Sequence, residues 1–191
     1  SGSILRCSVE NSSLTHSLVF DSVYVGGIAG INSGLIEKSQ NIGTTIIGYY
    51  AGGISATNAK TIQYCNAGKN NTGKITGVYA GGLVSINKVN ALVNNCVVGP
   101  TLVGDSRSQK TCGFAYKLEA GSKISQSFSY AKITGNGDLV ADTDTPYKEF
   151  FAMLWQYTPL GYEMGSMENC LFCNPSNVAS QSRFILDDTS E

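Results

Sequence analysis

Apolar positions recur along this chain in short groups, and the groups recur in a fixed order. Val25-Gly26-Gly27-Ile28-Ala29-Gly30-Ile31-Asn32 is followed by Ala51-Gly52-Gly53-Ile54-Ser55-Ala56-Thr57-Asn58 and then by Ala80-Gly81-Gly82-Leu83-Val84-Ser85-Ile86-Asn87. A decayed copy stands at Thr111-Cys112-Gly113-Phe114-Ala115-Tyr116-Lys117-Leu118. Gly26, Gly52, Gly81 and Cys112 hold equivalent places, in steps of 26, 29 and 31 residues. A second row reads apolar-x-x-Cys/Ser, at Ile36 to Ser39, Ile62 to Cys65, Val93 to Cys96 and Ile124 to Ser127. Ile4 to Cys7 and Met167 to Cys170 add a copy at each end. A third row closes each unit: Ile46-Ile47-Gly48, Ile75-Thr76-Gly77, Leu102-Val103-Gly104 and Ile133-Thr134-Gly135.

Each segment is short, contains Gly and alternates with a period near two, the pattern of strands rather than helices. Glycine at this density costs about 1 kcal/mol per residue in a helix. The pattern predicts three short strands per unit, separated by Gly, Asn and Ser turns. Stacked coil on coil, such units form a parallel β-helix. The rows predict an all-β fold, a right-handed parallel β-helix of about six coils, with the hand taken from the general preference for right-handed crossovers. Six coils at one strand spacing each give a rod of roughly 25–30 Å. A single coil cannot bury its inner face, so stability comes from stacked neighbours.

Stacking places equivalent residues above one another. Asn32, Asn58 and Asn87 then form a ladder of side-chain hydrogen bonds that makes one tight turn repeatable. Cys7, Ser39, Cys65, Cys96, Ser127 and Cys170 form a row of small inward side chains. Ser and Cys interchange there, which argues for buried free thiols behaving as small hydrophobes rather than for disulfides. Tyr24, Tyr50 and Tyr79 each precede a Gly-Gly pair by one residue and belong in one row, on the parity of Gly26 and Ile28. Facing outward they make an aromatic strip able to stack on sugar rings or a partner protein. Facing inward they make a core ladder, and the sequence leaves both readings open.

The Gly27-Ile28-Ala29-Gly30, Gly53-Ile54-Ser55-Ala56, Gly82-Leu83-Val84-Ser85 and Gly113-Phe114-Ala115-Tyr116 segments resemble the GLUG repeat of bacterial and protist surface proteins. The resemblance covers about residues 23 to 135, and the aliphatic-x-x-Cys row is similar to that family's second strand. It implies a solenoid within a large extracellular protein, in which the repeats are not the catalytic part. In that family the repeats sometimes stand beside a metallopeptidase domain; this chain has no His-Glu-x-x-His, so no peptidase activity carries over.

Composition narrows the function classes. The hydrophobic share is 42%, enough for a core, and the charged share is only 14%. A net charge of −1 implies no basic face and no nucleic-acid partner. The sequence holds no apolar run of about 18 residues, so no membrane-inserted helix is expected. The single histidine, His16, leaves little for imidazole catalysis, and no Gly-x-Ser-x-Gly elbow accompanies it and Asp21. Cys170-x-x-Cys173 is one CxxC, short of the four ligands of a structural zinc site. No cofactor is expected.

Residues 1–135 carry the β-helix coils. Residues 136–191 carry an acidic loop, an aromatic capping segment and a last partial coil, within the same domain. Thr145 and Pro146 suit a helix start, with Phe150, Phe151, Leu154 and Trp155 as its apolar face. The alternative is a worn strand from Phe151 to Trp155. Asp138, Asp142 and Asp144 are the candidate Ca²⁺ ligands, although their spacing is not that of an EF-hand and a solvated loop is the plainer reading. Asn11 and Asn70 head N-glycosylation sequons, relevant only in a eukaryotic secretory pathway.

The expectation is a non-catalytic solenoid module at the cell surface or in the extracellular space. It serves adhesion or ligand binding, with a host or environmental glycan or protein as partner, or acts as a rigid spacer between neighbouring domains of a larger chain. The competing readings are a carbohydrate-active enzyme using the acidic loop and a structural assembly subunit joined end to end.

Overall fold

The computed structural model describes residues 2–16, 22–68, 72–104, 110–135, 165–172 and 183–184. These residues form a parallel β-solenoid whose strands lie in four sheets. Sheet A stacks Ser3–Leu5, Leu35–Glu37, Thr61–Gln63, Leu92–Asn94, Lys123–Ser125 and Ser166–Glu168. Sheet B stacks Ser8–Glu10, Gln40–Ile42, Asn66–Ala67, Val97–Val98, Phe128–Ser129 and Leu171–Phe172. Sheet C is built on the long strands Thr45–Gly52 and Lys74–Gly81. Its shorter strands Ser13–Thr15, Tyr24–Gly26, Thr101–Gly104, Lys110–Cys112 and Lys132–Gly135 pair with matching halves of their neighbours. Sheet D stacks Ala29–Asn32, Ser55–Asn58, Val84–Asn87 and Ala115–Leu118.

The structure differs from the sequence expectation in coil number and in strands per coil. Sheet A has six rungs but sheet D only four, so about four turns are complete, with partial coils at the ends, rather than about six. Each turn also has strands in four sheets, not three. The Gly-Gly segment read as one strand is a corner: Tyr24–Gly26 closes sheet C and Ala29–Asn32 opens sheet D. The bend is sharp enough that a Cβ on Gly26, Gly52 or Gly81 would collide with the carbonyl of Ala29, Ser55 or Val84. At these three corners glycine admits the close backbone approach, and Cys112 holds the equivalent place in the next coil. The corner also resets the in-out alternation, so Tyr24 lies outside while Ile28 packs against the core, despite their common parity.

The core is a set of aliphatic columns. Ile36, Ile62, Val93 and Ile124 are fully buried in register, between half-buried Ile4 at one end and buried Met167 at the other. Ile46, Ile75 and Leu102 form a second column, and Ile54, Leu83 and Phe114 a third. Burying an aliphatic side chain of this size contributes about 1.5–3 kcal/mol, and each column residue is covered only when both neighbouring coils are in place.

Polar ladders fix the corners. Asn32 Nδ2 donates to Asn58 Oδ1 at 2.8 Å, and Asn58 Nδ2 donates to Asn87 Oδ1 at 2.8 Å. All three asparagines are buried, and their amides also reach the Thr61, Leu92 and Lys123 carbonyls of the following coil. The ladder therefore runs as expected, and it stops at Leu118, which pairs with Asn87.

The Cys/Ser row behaves differently from a passive row of small residues. Ser39, Cys65, Cys96, Ser127 and Cys170 are buried, and each donates to the carbonyl two residues before it. Cys7 makes the same contact from the first coil but is exposed. Cys7, Cys65, Cys96 and Cys170 are free thiols. Cys65 and Cys96 touch across adjacent coils. Burial, reinforced by Cys65, pushes the Cys96 thiol well up, while the hydrogen bond from Cys96 lowers Cys65.

The strand Arg183–Phe184 was not foreseen. It pairs antiparallel with Leu171–Phe172 and ends sheet B, covering an edge that parallel stacking leaves open. The expected capping segment at Tyr147 to Tyr157, with its helical alternative, lies outside the described residues.

Candidate functional site

The Gly-Gly corner decides where the tyrosines go. Tyr24 pairs with Tyr50, and Tyr50 with Tyr79, on the outer side of sheet C. The Tyr24 and Tyr50 rings stack at 4.9 Å with planes 8° apart, and Tyr50 and Tyr79 stack at 5.1 Å and 19°. The row is thus an external ladder, and the open question between core and surface is answered in favour of the surface.

Two further tyrosines join it. Tyr49 meets Tyr50 and Tyr79 edge-on at 5.2 and 5.4 Å. Tyr116 lies 4.4 Å from Tyr79, tilted by 31°. Sequence rows missed Tyr116 because Lys110, not a tyrosine, pairs with Tyr79 in the next coil. Tyr116 follows Ala115, the partner of Val84, and so falls in the row of Ser85. Its only signal was a large side chain where Gly30, Ala56 and Ser85 are small. Burial raises the Tyr79 phenol, with Tyr49 adding to the effect. Burial and the surrounding phenols push Tyr116 up further.

Stacking changes what the row can offer a ligand. Tyr50 and Tyr79 have ring neighbours on both sides, so they present edges and hydroxyls rather than faces. Tyr24 ends the stack among the described residues and is 38% exposed. Beside it opens a groove of about 440 Å³, lined by Tyr24, Ile31, Thr57, Ala59, Lys88, Val89 and Glu119. Lys88 pairs with Glu119 at 3.2 Å and Lys117 with the same carboxylate at 3.5 Å. The Val89 N–H donates to Glu119 Oε2 at 3.3 Å, which closes the rim. No row argument singled out Ile31, Thr57 or Val89, because their exposure depends on how the corner folds.

The other candidates separate by position. Asn11 is exposed in a turn at positive φ, accessible to modification, and Asn70 lies outside the described residues. Asp138, Asp142, Asp144 and Cys173 also lie outside them. His16 is exposed. Among the described residues no cluster of three metal-ligating side chains occurs, and no helix is long and apolar enough to cross a membrane.

Fold and site together define a repeat-built parallel β-solenoid carrying an external aromatic ladder. The chain matches no protein-family model, no curated protein and no solved structure at a significant level. The likeness to GLUG repeats therefore rests on the residues themselves.

Proposed function

We propose that the chain is a non-catalytic, rigid module of a cell-surface or secreted protein, built on GLUG-like repeats, that holds a ligand-binding face at a fixed distance from its neighbours. The observation that carries this reading is the unbroken register of the coils. Residues of sheet A pair one-to-one from Ser3 through Leu35, Thr61, Leu92 and Lys123 to Ser166. A stack locked in this way is stiff along its axis and repeats one surface chemistry along each face. The tyrosine ladder is the feature of that surface best suited to a glycan or protein partner, since aromatic side chains give a large contact area at small entropic cost.

The test pairs binding with turnover. The full chain is screened against immobilised polysaccharides and extracellular proteins, and the same polysaccharides are assayed for chain cleavage. Binding without cleavage is the expected result. Cleavage that disappears in an Asp138→Asn or Asp142→Asn variant would replace this reading with a polysaccharide-active enzyme. Concentration-dependent filaments would replace it with an assembly subunit.

A further inference from the structure

We infer that the groove beside Tyr24 is a carbohydrate subsite that takes one neutral pyranose ring; this rests on the binding-module reading above. Among the described residues the exposed large hydrophobics are Leu5, Tyr24, Ile31, Tyr64 and Val89. Three of these five, Tyr24, Ile31 and Val89, line this one groove. Apolar side chains exposed singly need no explanation, but a concave cluster of them marks a contact site. Tyr24 supplies the flat wall: one ring face rests on Tyr50, and no other ring stacks on Tyr24 among the described residues.

The second observation is polar. Thr57 lines the same groove and is 4% exposed, yet its hydroxyl has no hydrogen-bond partner. Its neighbours in the row, Ile31 and Ile86, are aliphatic. The hydroxyl oxygen is itself buried, so a ligand meets it only once it turns toward the groove; a valine would fill the same space without an unpaired hydroxyl, so the threonine is a cost to the fold. A turn about χ1 between staggered wells re-aims that hydroxyl. The rim sets Glu119 between Lys88 and Lys117, so each ion there has an opposite charge in contact, with one positive charge in excess.

A ligand matching this groove needs an apolar face for Tyr24, Ile31 and Val89. It needs hydroxyls that both donate and accept for Thr57 and the rim, and it needs no charge of its own, since each rim ion already has an opposite charge in contact. A pyranose ring has all three, with its C–H face against the aromatic ring and its hydroxyls at the edge. An apolar peptide side chain would satisfy Ile31 and Val89 but leave Thr57 unpaired. The volume of about 440 Å³ falls within the usual range for small-ligand pockets.

Ligand-observed NMR on the full chain tests this with methyl glycosides of glucose, galactose, mannose and N-acetylglucosamine. A sialoside and a leucine-containing peptide serve as anionic and apolar comparisons. At least one neutral glycoside is expected to bind, and Tyr24→Ala and Val89→Arg are each expected to weaken it about tenfold or more. Thr57→Val is expected to weaken binding about fivefold while raising the melting temperature, a combination that a purely structural threonine would not give. Tyr64→Asn, exposed but outside the groove, is expected to leave binding unchanged. Glycoside binding that survives both Tyr24→Ala and Val89→Arg would overturn the subsite while leaving the binding-module reading in place. Preference for the sialoside or the peptide would overturn the ligand class. Binding of no probe by the folded wild-type chain would overturn the subsite and move the module toward a spacer role.

Discussion

At the scale of single residues, the repeat is held by small polar groups at the corners. Arg6, Lys38, Tyr64, Asn95, Gln126 and Asn169 all adopt positive φ, between 49° and 54°. Each directly precedes a member of the Cys/Ser row. The corner thus uses a left-handed residue followed by a side chain that caps the carbonyl two positions back. The left-handed conformation costs a non-glycine residue about 1–2 kcal/mol, less for Asn. Tyr64→Asn should therefore raise stability by about 0.5–1 kcal/mol in urea unfolding. Asn58 is the middle rung of its ladder. Asn58→Leu leaves the Asn87 carbonyl oxygen and the Lys60 N–H without their Asn58 partner, takes one of two acceptors from the Asn32 amide, and removes a bond to Leu92. The expected loss is about 2–4 kcal/mol, from several buried polar groups left unpaired at once. Unchanged unfolding would mean that this ladder does not hold the corner.

At the scale of elements, the tyrosine ladder ties sheet C together from outside. Burial, and then the neighbouring phenols, raise the Tyr79 and Tyr116 hydroxyls. A folded pKa above the unfolded value of about 10 stabilises the fold below that pH, and the stability is lost as pH rises through the folded value. The melting temperature should therefore hold steady up to about pH 9 and fall above pH 10. Tyr116→Phe should flatten that fall, which a pH series of melting curves will read. The rows, the Asn ladder and the parallel stack were legible in the sequence because stacked coils impose the same requirement on equivalent residues. Ile36, Ile62, Val93 and Ile124 announce one column by type and spacing alone. The fourth sheet was not legible, because a Gly-Gly pair inside an alternating run reads equally as strand or corner. The site followed from that corner. Tyr116 reaches the ladder from a different row, and Ile31, Thr57 and Val89 meet Tyr24 only once sheet D has folded back. Such a juxtaposition depends on backbone direction, which residue type does not record.

At the scale of the whole molecule, stability and function both come from stacking. Each coil buries its columns only between neighbours, so the stack should gain cooperativity toward its middle, where Ile62 and Val93 are fully buried, and fray at Ile4, which is only half-buried. The first coil supports this: Ser3–Leu5, Ser8–Glu10 and Ser13–Thr15 each bury only their central residue, and only in part. Hydrogen exchange should follow the same gradient, with amides of Thr61–Gln63 protected longest and those of Ser3–Leu5 exchanging first. A module that presents a binding face must also keep its length. Ser3 and Ser166 occupy the same register position on the first and last rungs of sheet A. Five rung spacings separate them, which places their backbones about 24 Å apart. The most direct test of the account is a pulsed electron–electron distance measurement between spin labels at Ser3 and Ser166, beside a second pair at Leu35 and Ser166. A rigid, in-register solenoid gives narrow distributions, with the second pair closer by one rung, about 5 Å. Broad distributions, or two pairs that do not differ by a rung, would contradict a rigid, in-register solenoid.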